Sequence, residues 1–128
     1  MITRSEENYI KAILSINLEK NSIVSTNEIA RILETSAASV TEMIKKLQDK
    51  KLVIYEKYKG VKLSKAGRIK AFEILRKHIL WETFLVSKLD FSWGEVHDVA
   101  EQLEHIISEK LTDKLDHFLN YPKFDPHG

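Results

Sequence analysis

The sequence predicts a mainly α-helical protein: an N-terminal winged helix-turn-helix followed by a second helical domain. Three observations predict it. Apolar residues recur at helical spacing through most of the chain, and both prolines, Pro122 and Pro126, stand near its C-terminal end, where they break no earlier helix. One β-branched, glycine-bearing stretch, Leu52 to Leu63, falls in the middle. The charge is divided between the halves: Met1 to Lys70 holds 14 Lys/Arg against 8 Asp/Glu, a formal +6, whereas Ala71 to Gly128 holds 6 against 11, a formal −5.

Tyr9, Ile10, Ile13, Leu14 and Ile16 to Leu18 place a first helix from about Ser5 to about Glu19. Lys20-Asn21-Ser22 is a polar turn. Ile29, Ala30, Ile32 and Leu33 mark a short second helix, with Thr26 as its cap and Glu28 favourable in its first turn. Glu34-Thr35-Ser36 forms a turn, and Ala37 to Lys50 a third helix whose buried stripe is Val40, Met43, Ile44 and Leu47. Leu52 to Tyr55 and Val61 to Leu63 form a hairpin with a basic tip. Ser64 caps a long helix reaching about Leu89, and two more follow, at about Gly94 to Ile107 and Ser108 to Leu119. The expected domains are 1–70 and 71–128, joined by the long helix.

Function classes narrow quickly. No run approaches the ~20 apolar residues of a membrane span, and the N-terminus has no signal-peptide core. With no cysteine, disulfides and thiolate metal sites are excluded. The expectation is a cytoplasmic protein with no membrane partner. A basic half suits a polyanion, and an acidic half holding all five histidines suits cations.

Two short helices, a tight turn and a wing place the third helix in a DNA major groove. Ser36, Ala37, Ala38 and Ser39 are small enough to approach base edges and thymine methyls. Thr41, Lys45 and Lys46 reach phosphates or the groove wall, and Lys57, Tyr58 and Lys59 at the wing tip lie along the backbone or minor groove. Thr26, at the start of the second helix, completes the DNA-facing set. The partner is double-stranded DNA.

In the acidic half, His97 and Glu101 are four apart, as are Glu101 and His105, with Glu104 beside them; on one helix these project from one side, while Val99, Ala100, Leu103, Ile106 and Ile107 pack. His78 and Glu82 repeat the spacing on the long helix. One such pair is often a surface ion pair; two, with Glu104-His105 added, point to metal. Oxygen and imidazole donors without thiolates suit Mn(II), Fe(II), Co(II) or Zn(II). His117 and His127 lack such company, and Trp81 and Trp93 read as packing residues.

The chain resembles the diphtheria-toxin-repressor and manganese-transport-regulator family of metal-dependent repressors. The resemblance is carried by Glu7-Asn8-Tyr9-Ile10, Ser39-Val40-Thr41 and Leu63-Ser64-Lys65-Ala66-Gly67, and most specifically by Arg76 to Leu85 and Val96 to His105. Asp125-Pro126-His127-Gly128 is similar to the family's connector. The resemblance implies a homodimer on a palindromic operator, with the helices after the long one forming the dimer interface and metal sites. It implies one site of His78, Glu82 and His97, and another of Glu101, Glu104 and His105 with Asn8. It also implies that metal is the corepressor, tying helix 1 to the dimerisation helices, and that metal-uptake genes are controlled.

Two positions depart from the pattern. Manganese-type members carry Asp at the Asn8 position and Glu at the Lys11 position, and a lysine ammonium repels a cation; this weighs against a close two-manganese arrangement. Glu101 stands where iron-type members have Cys, which favours a harder ion. Manganese is therefore expected ahead of iron, with Co, Zn, Cd or Ni able to substitute in vitro. Longer members continue into a β-rich domain, so the chain is either a short member or lacks that domain. The alternatives are a winged-helix regulator that answers to a small organic effector bound beside Trp81 and Phe84 and, remotely, a carboxylate–His metalloenzyme.

Overall fold

The computed structural model describes residues 2–20 and 23–122. It contains α1 (Arg4–Lys20), α2 (Thr26–Ile32), α3 (Ala37–Asp49), β1 (Val53–Glu56), β2 (Gly60–Leu63), α4 (Lys65–Leu89), α5 (Trp93–Leu103) and α6 (Glu109–Phe118). The chain divides into two compact units, Met1–Phe72 and Glu73–Gly128. Helix α4 begins in the first and continues into the second. His127 and the rest of the expected connector motif lie outside the described residues.

In the first unit, Ile10, Ile13, Leu14, Ile29, Val40, Leu47 and Val61 are essentially inaccessible to solvent and form the core. The α3 stripe is buried at Val40, Ile44 and Leu47, with Met43 half-buried. Leu18 and Ile32, expected on apolar stripes, are exposed. Ile32 is the last residue of α2, where the chain turns away toward α3.

Local hydrogen bonding sets the helix ends. Helix α2 is capped by Ser25, not Thr26: Ser25 Oγ accepts from the Glu28 amide at 3.1 Å, and Glu28 accepts from the Ser25 amide at 3.2 Å. This reciprocal box needs its two members three apart, so Glu28 selects Ser25 and leaves Thr26 as the first helical residue. Lys20 pairs with the same Glu28. Helices α2 and α3 both end with a left-handed residue, Glu34 (φ 52°) and Lys51 (φ 61°). The residue after each returns an N–H to the last turn, Thr35 to Ala30 at 3.0 Å and Leu52 to Leu47 at 2.9 Å.

The wing pairs Val53 with Leu63 and Glu56 with Gly60 in antiparallel register. Val24, in the α1–α2 connection, adds a bridge to Val61 through two hydrogen bonds of 2.9 and 2.8 Å. The adjacent Gly60 sits at φ 128°, and a Cβ there would lie 2.3 Å from the Val24 carbonyl oxygen. Ser64 caps α4 as expected: its hydroxyl accepts from Gly67 N at 3.0 Å and donates to Lys51 O at 2.7 Å. A Cβ on Gly67 would lie 1.9 Å from Leu52 O, so glycine is what lets α4 close onto the base of the wing.

In the second unit, Leu85, Val96 and Ala100 are buried beneath Trp81, Phe84, Phe91 and Leu103. Helix α5 starts at a capping box of Ser92 and Glu95 and stops at Leu103, four residues before the expected end. The reason lies downstream. Ser108 caps α6, accepting from Leu111 N at 3.1 Å in extended conformation (ψ 108°), so the β-branched Ile106-Ile107 leave the helix to reach it. Ile106 and Ile107 are consequently exposed rather than packed.

Candidate metal centre and DNA-facing surface

On the first unit, Ser36 to Ser39, Thr41, Lys45 and Lys46 are all exposed along α3. The Ser36 hydroxyl is committed to structure: it accepts from Ser39 N at 3.1 Å and donates to Ser39 Oγ at 2.9 Å. Thr41 Oγ1 donates to Ala37 O at 3.0 Å. Ser39 Oγ is thereby left with its own proton to donate outward. Thr26 is half-buried. At the wing tip, Tyr58 is 91% exposed in a left-handed conformation (φ 67°), and Lys57 Nζ lies 5.2 Å from its ring centre. Lys57 and Lys59 are exposed.

The acidic unit brings its ligand-type side chains into a row. His78 and Glu82, one turn apart on α4, are both buried. His78 Nε2 lies 2.5 Å from Glu82 Oε1, and Nδ1 lies 2.5 Å from Glu104 Oε1. Glu82 Oε1 is also 3.5 Å from His97 Nδ1 on α5. The row continues outward through His97, whose Nε2 lies 3.7 Å from Glu101, and inward to His105, whose buried Nε2 lies 3.8 Å from Glu104. One donor atom from each of His78, Glu82 and His97 can be chosen so that all lie within 4.8 Å of one another. Among the described residues, Glu101, Glu104 and His105 are not gathered into such a group. Glu104 lies instead against His78. Glu104 follows the last turn of α5 in αR conformation, and His105 lies past it in a turn, so the helix-face spacing does not carry to His105. Asn8 stands on α1 in the first unit.

The chemistry of this donor set fits a divalent cation. Glu82 and Glu104 are 2% and 0% exposed. Uncompensated, a buried carboxylate costs several kcal/mol. His78 presents one ring nitrogen to each of these two buried carboxylates. A metal ion among these oxygen and nitrogen atoms offsets both charges. His97, with 59% of its side chain exposed, opens the row to solvent.

The two residues before His78 hold this scaffold, a role that the sequence pattern did not assign to them. Arg76 bridges to Asp116 at 2.7 Å and Asp113 at 3.3 Å on α6, which raises its pKa. Lys77 donates to Ile106 O at 3.1 Å, tying down the segment after His105. The acidic pair three apart on α6 was the available signal for Arg76.

Residues 1–61 match the family described as iron dependent repressor, N-terminal DNA binding domain, and residues 64–128 match the iron dependent repressor, metal binding and dimerisation domain. The chain belongs to the iron-dependent repressor family. The HTH-type transcriptional regulator MntR of Listeria monocytogenes serotype 4a is 32% identical to this family member over 126 residues, covering 95% of the chain and 87% of that regulator. A solved manganese-dependent transcriptional repressor in complex with manganese superposes with a TM-score of 0.87 at 38% identity, covering 95% of this chain. The chain spans 56% of that repressor's length. A Chlamydia trachomatis serovar D protein named "Probable metal transport system membrane protein" is 43% identical over 65 residues, 51% of this chain and 14% of that protein.

Proposed function

We propose that this chain is a metal-dependent transcriptional repressor of metal-uptake genes, binding a palindromic operator as a homodimer when loaded with Mn(II) or Fe(II). The observation that carries this is the buried row Glu82–His78–Glu104 in a chain whose N-terminal unit is a winged helix-turn-helix. His78, Glu82 and His97 hold one ion. Glu101, Glu104 and His105, with Asn8 from α1, are the donors for a second ion, and Glu104 has to leave His78 to join them. Bound metal supplies the positive charge that the buried carboxylates require. The protein residues do the rest: α3 reads bases through Ala37, Ala38 and Ser39, and Thr26, Thr41, Lys45, Lys46 and the wing residues Lys57, Tyr58 and Lys59 hold phosphates. Metal shifts the dimer toward the spacing that fits two half-sites. Glu101 as an oxygen donor and the manganese-bound relative favour manganese over iron. Acting on DNA, the protein works in the cytoplasm.

The test is duplex binding at fixed salt. A duplex is selected from a random library by Mn(II)-loaded protein, and its dissociation constant is compared in Mn(II), in Fe(II) and in chelator. Tighter binding in metal is expected, and equal binding in all three refutes the proposal.

A second reading draws on an open groove of about 950 Å³ between α4 and α6, lined by Trp81, Phe84, Leu111, Leu115 and Phe118. An apolar organic effector fits such a wall. For a residue range matched as a dimerisation domain, a second copy is the better occupant. Calorimetry with no heat on adding Mn(II) favours the effector.

A further inference from the structure

Helix α1 is tied to the far end of α3 by an ion pair that no sequence pattern predicted. Thr3 and Glu6 cap α1 reciprocally: Glu6 Oε1 accepts from Thr3 N at 2.8 Å, and Thr3 Oγ1 accepts from Glu6 N at 3.1 Å. The same Glu6 Oε1 accepts from Lys50 Nζ at 2.8 Å. Lys50 is the C-cap residue of α3, 44 positions along the chain. The Glu6 side chain is 4% exposed, and its other oxygen, Oε2, is buried without a hydrogen bond among the described residues. Thr3, Glu6, Met43, Lys46, Asp49 and Lys50 line a cavity of about 380 Å³ there.

A buried, half-satisfied carboxylate is a poor way to gain stability, because desolvation consumes most of the pair's attraction. Its yield is geometry. Two residues after Glu6 on α1 stands Asn8, and one turn before Lys50 on α3 stands Lys46. The pair therefore joins the helix proposed to touch metal with the helix proposed to touch DNA.

We infer that Glu6 is a positioning residue for DNA reading: with Lys50 it clamps the first turn of α1 to the C-terminal end of α3, setting the reading helix relative to the helix that carries Asn8. The clamp rests on the proposed function, since it matters only if α3 reads DNA.

The experiment uses the full chain with Mn(II), the selected duplex and a scrambled duplex of equal length. Wild-type preference for the selected duplex tests the underlying function; the variants test the clamp. Glu6→Gln keeps the Thr3 cap, which glutamine can complete, and loses only the charge. Glu6→Gln and Lys50→Gln are each expected to reduce the selected-to-scrambled affinity ratio about tenfold, with the double variant no worse than either single one. Lys50→Arg retains most of the preference. Binding of Lys50→Gln to scrambled DNA keeps the wild-type salt slope, because Lys50 is spent on Glu6 rather than phosphate. A salt slope lowered by about one unit in Lys50→Gln makes Lys50 a direct phosphate contact and overturns the inference. So does additivity of the two substitutions, or a lowered melting temperature with the affinity ratio unchanged.

Discussion

Glu104 shows what a single side chain contributes. Fully buried, it lies against a histidine 26 positions earlier, so its partner could not be read from helical spacing. The residue types were legible: imidazoles and carboxylates, without thiolates, recurring at four-residue intervals. Which carboxylate meets which imidazole was not, because that depends on how α4 packs against the end of α5. The burial also rules out alanine as a test, since it would leave a hole beside His78. Glu104→Gln keeps the volume and a polar group facing the ring. It should weaken Mn(II) binding by about tenfold or more, measured by calorimetry, and leave circular dichroism unchanged. Unchanged Mn(II) affinity would place the ion elsewhere. Glu28 gives a pH-dependent case. Lys20 first, then the Ser25 amide, hold its carboxyl below the usual range. A depressed folded pKa contributes stability above the unfolded value, about 4.3, and loses it as the pH falls through the folded one. Glu28→Gln should therefore flatten the acid limb of the stability curve and leave its shape near pH 8 unchanged; an identical acid limb would show the pair to be inconsequential.

At the level of elements, periodicity located every helix and the hairpin, because each buries one stripe against a core. Helix ends were less legible. Thr26 and Ser25 are both good caps, and only the reciprocal bond with Glu28 decides between them. The end of α5 depends on Ser108 opening α6. The bridge from Val24 to Val61 was invisible, since a single paired residue has no period. Gly67 was visible only as part of a motif, and the structure supplies its cause. With Leu52 O only 1.9 Å from the position of a Cβ, Gly67→Ala must push α4 off the base of the wing. A loss of about 1–3 kcal/mol is expected in urea denaturation. A variant as stable as the wild type would mean that α4 yields freely there.

Over the whole molecule, the charge division seen in composition becomes a division of labour. The basic unit presents α3 and the wing, and the acidic unit holds the buried histidine and carboxylates. The proposed regulation needs both units, which α4 joins covalently. If metal gates the grip on DNA, the two ligands are thermodynamically linked, and each must tighten the other by the same factor. The most direct measurement is therefore the Mn(II) dissociation constant of the protein alone, with saturating selected duplex, and with scrambled duplex. Selected duplex should tighten Mn(II) binding by the factor by which Mn(II) tightens duplex binding, with a smaller effect from scrambled DNA. An Mn(II) affinity identical in all three would mean that metal does not gate the grip on DNA.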